Sequence, residues 1–334
     1  YFFLSIIRSA VAGGSGSEIY GRIRKYCRRD HPVSNGFWFQ AGGASGHFYG
    51  NDNSLQDYKD AYSGIKAGFD RYMDDIGLML GVYATAGAHH IKQGSHEAKG
   101  AKTGFGVYGG YIKEGRELKS LALLSFNRFD VKRHIPFAGF SAESDIKTVS
   151  LGLDIEGALN FNMASNTKFR PYAGFELADV YYPGFSESGA GIYNLDVSGA
   201  SYLRAAARAG AGVHYEGNIW LIYAGLEGKC LFSGAEPEIE SVFNKTGAYF
   251  KTKGAKEGFF QTGAGAGAAL RLSEKVTIFA NADFYSADKY RDISGNIGLR
   301  YAFCNPFSIK AQDPQRHYVR KDGQGLLCGG LVAR

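Results

Sequence analysis

Along most of the chain apolar side chains fall at every second position, in runs of roughly ten residues that recur about a dozen times. In the clearest run Val149, Leu151, Leu153, Ile155, Leu159 and Phe161 alternate with Ser150, Gly152, Asp154, Glu156, Ala158 and Asn160, so two carboxylates lie opposite the aliphatics. Leu203 to Tyr215 repeats the plan, with Arg204, Arg208 and His214 on the polar face. Ile297, Leu299, Tyr301 and Phe303, set against Asn296, Gly298, Arg300 and Ala302, form the last run. A period of two is that of a β-strand, whose side chains point alternately to the two faces. Alternation alone does not say which face is outside, because a soluble sandwich would bury the apolar one.

The pattern predicts twelve strands: 36–49, 61–73, 76–89, 102–112, 118–130, 148–161, 169–182, 202–215, 219–232, 258–272, 276–285 and 292–303. Every second connection is a tight polar turn, at Asp74-Asp75, Glu114-Gly115, near Asn166, at Gly217-Asn218 and at Ser273-Glu274-Lys275. The other connections are mostly longer, among them 92–99, 133–147, 183–201 and 233–257. Short turns at one end and long loops at the other, on an even number of strands, mark an outer-membrane barrel. The expected fold is therefore all-β: a twelve-stranded antiparallel transmembrane β-barrel whose last strand ends at Phe303 on the periplasmic side. Closure would remove the edges that so wide an open sheet exposes.

Composition fits this fold. Aromatics are 14% of residues and Gly numbers 47, with only 7 Pro, while the mean hydropathy is −0.22. No apolar stretch of about 18 residues exists, which excludes an ordinary membrane-spanning helix. The net charge of +6 is scattered, so nucleic-acid binding is not indicated. Cys27, Cys230, Cys304 and Cys328 lack metal-site spacing, and no metal or cofactor is expected. The chain opens at Tyr1 without a basic leader, as a fragment or processed product would, and Arg8 interrupts the signal-like run 2–12.

With the apolar faces toward lipid, Lys66, Asp70, Asp154, Glu156, Glu176, Arg204, Arg208, Glu227, Lys229, Arg271, Asp283 and Arg300 point into the lumen. Inward glycines such as Gly263, Gly265 and Gly267 are expected to leave room for an occupant. Residues 17–29 offer one: Ser17 can cap a helix, Ile19, Ile23 and Tyr26 recur at helical spacing, and Arg22, Lys25 and Arg29 form a basic face. The alternative is an exposed amphipathic linker helix. The chain thus divides into an N-terminal end or linker (1–16), the candidate luminal helix and connection (17–35), barrel (36–303) and an atypical tail (304–334).

Catalysis finds no constellation. His214 is a lone inward histidine, His89-His90 borders a loop, and no Ser, His and acid set falls on neighbouring strands. Asp154 and Glu156 could share a proton, but pairing with a basic helix accounts for them. The GxGxxG spelling at 104–109 lies inside a strand with no helix after it.

Several stretches resemble one known family. Gly36-Phe37-Trp38-Phe39-Gln40, Tyr108-Gly109-Gly110-Tyr111, Arg170-Pro171-Tyr172-Ala173-Gly174, Ser186-Glu187-Ser188-Gly189-Ala190-Gly191, Asn194-Leu195-Asp196-Val197 and Ser201-Tyr202-Leu203-Arg204 together resemble the C-terminal translocator barrel of autotransporters, the type V secretion proteins. The resemblance implies a barrel in the Gram-negative outer membrane, threaded by a helix near residues 20–26 that joins it to a secreted passenger. It implies export and anchoring, not enzymatic chemistry, with outer-membrane lipid, the barrel-assembly machinery and the chain's own passenger as partners. It also implies that Leu299, Tyr301 and Phe303 form the terminal signal read by that machinery. Two departures stand out. The tail 304–334 follows the terminal aromatic, as a read-through product or a periplasmic extension would, and only residues 1–16 precede the helix. Another expectation stays open beside export: a barrel acting itself as adhesin, hydrolase or porin.

Overall fold

The computed structural model describes residues 35–50, 57–73, 76–233, 238–253 and 258–303. The helix expected at 17–29, with Arg22, Lys25 and Arg29, and the tail 304–334 lie outside the described residues. In chain order the first strands are β1 (Asn35–Phe48), β2 (Tyr58–Met73), β3 (Leu78–Gln93), β4 (His96–Lys113), β5 (Arg116–Ile135), β6 (Phe140–Leu159), β7 (Phe161–Ala164) and β8 (Thr167–Tyr182). Then follow β9 (Phe185–Ser186), β10 (Leu195–Val197), β11 (Ala200–Glu216), β12 (Trp220–Ser233), β13 (Glu238–Phe243), β14 (Tyr249–Lys253), β15 (Phe260–Arg271), β16 (Val276–Ala287) and β17 (Tyr290–Phe303).

Twelve of these strands, β1 to β6, β8, β11, β12 and β15 to β17, form a closed antiparallel barrel. Each pairs with its sequence neighbour, and β1 meets β17 in register from Asn35↔Phe303 to Phe48↔Tyr290. That seam supplies hydrogen-bond partners to both terminal strands, so the barrel has no free edge. The β4–β5 hairpin shows the local chemistry of one end. Lys113 pairs with Arg116, which leaves Glu114 and Gly115 as a two-residue turn with φ of 53° and 79°. Such a turn needs positive φ at both positions, and its twist matches that of the strands it joins.

Near this end the apolar residues face out. Phe39, Leu80, Val82, Phe105, Val107, Leu124, Leu151, Leu226 and Ile297 are exposed, Phe105 by 66% and Leu226 by 69%. Their neighbours Lys66, Asp70, Lys119, Asp154, Glu156, Arg170, Arg208 and Arg300 are buried inside.

Toward the other end the polarity inverts. On β5 the outward series Leu118, Leu124, Phe126 continues as Arg128, Asp130, Lys132, and on β6 it passes from Val149 to Lys147, Asp145 and Glu143. Arg128 meets Asp145 at 2.6 Å and Lys132 meets Glu143 at 3.2 Å. The inward positions become apolar: Phe48, Tyr58, Ile91, Phe129, Val131, Ile146, Val180, Tyr182 and Tyr202 form one buried cluster. Above the point of inversion the barrel wall is thus built like a soluble sheet, with its apolar face inside.

A second sheet, ordered β14-β13-β10-β9, completes that cluster. Leu195, Val197 and Ile239 are buried in it, with Phe185, Phe243 and Phe250 against it. The cluster that this sheet completes draws its barrel residues from β1 and β2 as well as β6 and β8. Arg133 of β5 fastens the loop after β8: its guanidinium donates to both carboxylate oxygens of the buried Glu187 and, at 2.8 Å, to the Tyr193 carbonyl. Bidentate pairing of this kind fixes orientation as well as distance.

These features correct the expected long loops. Residues 92–99 are the ends of β3 and β4, joined by a two-residue turn at Gly94-Ser95. Residues 133–147 belong mostly to β5 and β6, with Ile135 paired to Phe140. Segments 183–201 and 233–257 supply the second sheet. At the inward glycines the side chains of adjacent strands lean in: a Cβ at Gly263 would stand 2.5 Å from the Tyr285 ring, and those at Gly265 and Gly267 would collide with Asp283 and Tyr223.

Candidate functional site

The lumen of the apolar-walled half holds the densest chemistry in the molecule. Alternation puts Glu117 and Lys119 (β5), Asp154 and Glu156 (β6), Arg170, Tyr172 and Glu176 (β8), Arg204 and Arg208 (β11) and Glu227 and Lys229 (β12) on inward positions of five consecutive barrel strands. Register then decides who meets whom. Glu156, Gly174 and Arg208 lie side by side on β6, β8 and β11. A Cβ at Gly174 would come within 2.9 Å of Arg208 Nε, so the missing side chain lets the arginine cross β8. Arg208 thereby reaches Asp154 at 2.9 Å and Glu156 at 3.2 Å, with Glu176 at 3.7 Å and Glu227 at 3.8 Å.

The remaining ions extend the network. Arg170 contacts Glu156 at 2.5 Å and Glu117 at 2.9 Å, and Lys119 lies 2.8 Å from Glu117. Lys229 contacts Glu176 at 3.0 Å and stands over the Tyr285 ring, Arg204 lies 3.8 Å from Glu176, and the Tyr172 hydroxyl donates to Glu227 at 3.0 Å. Glu117, Asp154, Glu156, Glu176 and Glu227 are matched by Lys119, Arg170, Arg204, Arg208 and Lys229. Asp283 adds a further carboxylate, accepting from Asn281 at 3.4 Å. Charges removed from water in this way persist because each is paired with an opposite charge.

A second cluster ties the seam. Arg300 of β17 reaches over β1 to Asp70 of β2 at 2.8 Å, passing Gly36, whose Cβ would lie 2.5 Å away. Tyr108 donates to Asp70 at 3.1 Å and accepts from Trp38 Nε1 at 2.8 Å. Leu299 and Tyr301 face outward and are exposed, while the Phe303 ring stacks on Phe37 at 5.4 Å.

The structure thus places Asp154, Glu156, Glu176, Arg204, Arg208 and Glu227 in one network and Asp283 beside it. Sequence reasoning missed Glu117, Lys119, Arg170 and Tyr172. Glu117-Leu118-Lys119 carries the same i, i+2 charge spacing as Asp154 and Glu156 and could have been found by it. His214 is buried and stacked 5.8 Å from Tyr223, and His89 packs between Tyr62 and Phe129. Among the described residues no group of His, Cys, Asp and Glu is arranged to hold a metal.

Comparison with known proteins bears on this architecture. The family model of the autotransporter beta-domain matches residues 37–283. The fold is similar to the translocator domain of the autotransporter NalP from Neisseria meningitidis, at TM-score 0.66 and 13% identity over 86% of this chain and 96% of that one. It is similar also to the beta domain of the Bordetella autotransporter BrkA, at TM-score 0.63 and 17% identity over 81% of this chain and 100% of that one. The transport unit of AIDA-I from Escherichia coli gives TM-score 0.58 and 12% identity over 90% and 98%. No curated protein matches in sequence. A charged, closed lumen inside an apolar twelve-stranded wall, matched over most of its length by one family model, makes this chain a member of the autotransporter beta-domain family, an outer-membrane β-barrel translocator.

Proposed function

We propose that the barrel exports an N-terminal passenger through its lumen and then anchors it at the cell surface, without enzymatic chemistry of its own. The observation that carries this reading is the direction of β1. Asn35 and Phe303 are paired at one end, the end that also holds the tight β4–β5 turn. A passenger displayed beyond the opposite end must therefore be joined to β1 by a segment that traverses the barrel. Residues 17–29, as a helix, would span about 20 Å, most of the height of an apolar wall of about 25 Å, and the connection 30–34 would complete the crossing. NalP, BrkA and AIDA-I are described as autotransporters, which supports the same reading.

In this proposal Arg22, Lys25 and Arg29 seat the helix against the luminal network. The inward carboxylates already have cationic partners on the wall, so the helix shares them rather than neutralising a bare acidic surface. Leu299, Tyr301 and Phe303 serve as the terminal signal for the barrel-assembly machinery.

The test is an epitope inserted before Ser17 in the chain expressed in a Gram-negative host. Antibody should reach it on intact cells. Access only after permeabilisation would contradict the export reading. For the helix, replacing Arg22, Lys25 and Arg29 together should raise single-channel conductance in planar bilayers, and unchanged conductance would remove the plug assignment.

A further inference from the structure

One outward row sets cations side by side on adjacent strands. Arg291 of β17 stands opposite His47 of β1, His47 opposite Lys59 of β2, and Lys59 opposite Lys92 of β3. Lys59, Lys92 and Arg291 are exposed and His47 is half-buried. Like charges directly across a sheet destabilise it. Among the described residues neither Lys59 nor Lys92 has a carboxylate within ion-pair distance. The row ends at Glu97 of β4, directly opposite Lys92, but that carboxylate takes His90 at 2.7 Å and Lys99 at 3.5 Å, and Asp57 lies 3.6 Å from His47. On the opposite wall the outward residues toward the same end of β11, β15 and β16 are Ser201, Thr262 and Ser286.

The row also lies at a defined height. His47 is ten residues along β1 from Phe37, which marks the tight-turn end of the apolar wall. At about 3.3 Å per residue and a tilt of about 40°, that separation is about 25 Å along the barrel axis, the usual height of the lipid-facing band. Just below the cations the outward residues Ser45, Ala61 and Ser63 are small, with the exposed Ile293 opposite Ser45 and His90 opposite Ala61.

We propose that this row holds the phosphate of a lipid headgroup in the outward-facing leaflet, with its acyl chains toward the apolar wall below. The proposal rests on the reading of the barrel as an outer-membrane translocator. A bound phosphate relieves the Lys59–Lys92 repulsion, which gives the wall a charge-dependent preference for one lipid class on one side of the barrel.

The test is native mass spectrometry of the full chain released from nanodiscs containing phosphatidylglycerol or phosphatidylcholine, for wild type and for the Lys59→Ser/Lys92→Ser double variant. Wild type should retain phosphatidylglycerol roughly thirtyfold more than the double variant, the loss expected for two cations beside a lipid phosphate. Phosphatidylcholine retention should be equal in the two, and Lys59→Arg/Lys92→Arg should restore the wild-type level. Equal phosphatidylglycerol retention by wild type and the serine variant, with both chains migrating faster unheated than boiled, would overturn the lipid site alone. A wild-type chain that shows no such heat-dependent migration would overturn the barrel reading and the lipid site with it. Displacement of the lipid by millimolar inorganic phosphate would mean a simple anion site, and would overturn docking of a lipid.

Discussion

On β5, Leu124 points out and Ser125 in, while a few residues further along Asp130 points out and Phe129 and Val131 point in. One unbroken strand thus satisfies two solvents. Where lipid surrounds the wall, apolar side chains face it and the charges must find one another inside, so Arg208 collects Asp154, Glu156, Glu176 and Glu227. Where water surrounds it, the ion pairs move outside and Phe129, Ile146 and Tyr182 make an ordinary core with the second sheet. The two halves differ in what a substitution costs. A luminal charge is held by partners that cannot be resolvated, whereas an outer ion pair exchanges readily with water.

The largest effect is expected in the lumen. Arg208→Ala strands several buried carboxylates, and loss of one partner of such a network costs about 3–5 kcal/mol. The temperature at which the folded barrel is lost on detergent gels should drop sharply, and an unchanged temperature would mean that water reaches the network freely. Phe129→Ala should cost a similar ~3–5 kcal/mol by cavity formation, but in the other half. Its signature is faster proteolysis of the loop after β8 while the barrel keeps its heat-dependent migration. Arg133→Ala leaves Glu187 buried without its main partner and should expose the same loop to protease, about 1–3 kcal/mol being lost. Replacing both Arg128 and Asp145 by Ser should shift stability by at most about 1 kcal/mol, as for other exposed pairs. A large drop there would mean that the outer face is not in water.

The comparison has a pH dependence as well, carried by the β3–β4 tip. Burial and the nearby Arg133 lower the His96 pKa below its ordinary 6.5, and its Nδ1 accepts from the His134 backbone N–H at 3.1 Å. With the folded value below the unfolded one, the contribution is present above about pH 6.5 and is lost as pH falls through the folded pKa. The protection factor of the His134 amide should therefore fall on acidification below pH 6.5 and stay flat above it. His96→Gln should abolish that dependence.

Strand positions were legible because a period of two survives in every lipid-facing run, Val149 to Leu159 being the plainest. The outer extensions were not. In 92–99 and 133–147 the alternation persists with its polarity reversed, and outward Lys, Arg and Glu beside Gly94 or Pro136 carry the composition of a loop. Only the register, which brings Ile135 to Phe140 and Ile91 to Ala98, shows them to be paired strands. Luminal identities such as Asp154 and Arg208 were likewise legible, but not their pairing, because Arg208 reaches Asp154 across an intervening strand at Gly174. The second sheet escaped notice because β9 and β10 are two and three residues long, too short for a period to be seen.

The most direct test of the two-solvent strand is a nitroxide scan along β5, one cysteine at a time from Leu118 to Lys132, in reconstituted chain with the native cysteines replaced by serine. Labels at Leu118, Ala122, Leu124 and Phe126 should relax with oxygen dissolved in lipid, and labels at Arg128, Asp130 and Lys132 with a water-soluble nickel complex. Labels at Phe129 and Val131 should respond to neither. An oxygen response that continues through Asp130 and Lys132, or a nickel response that begins at Leu124, would contradict the inversion on which the account rests.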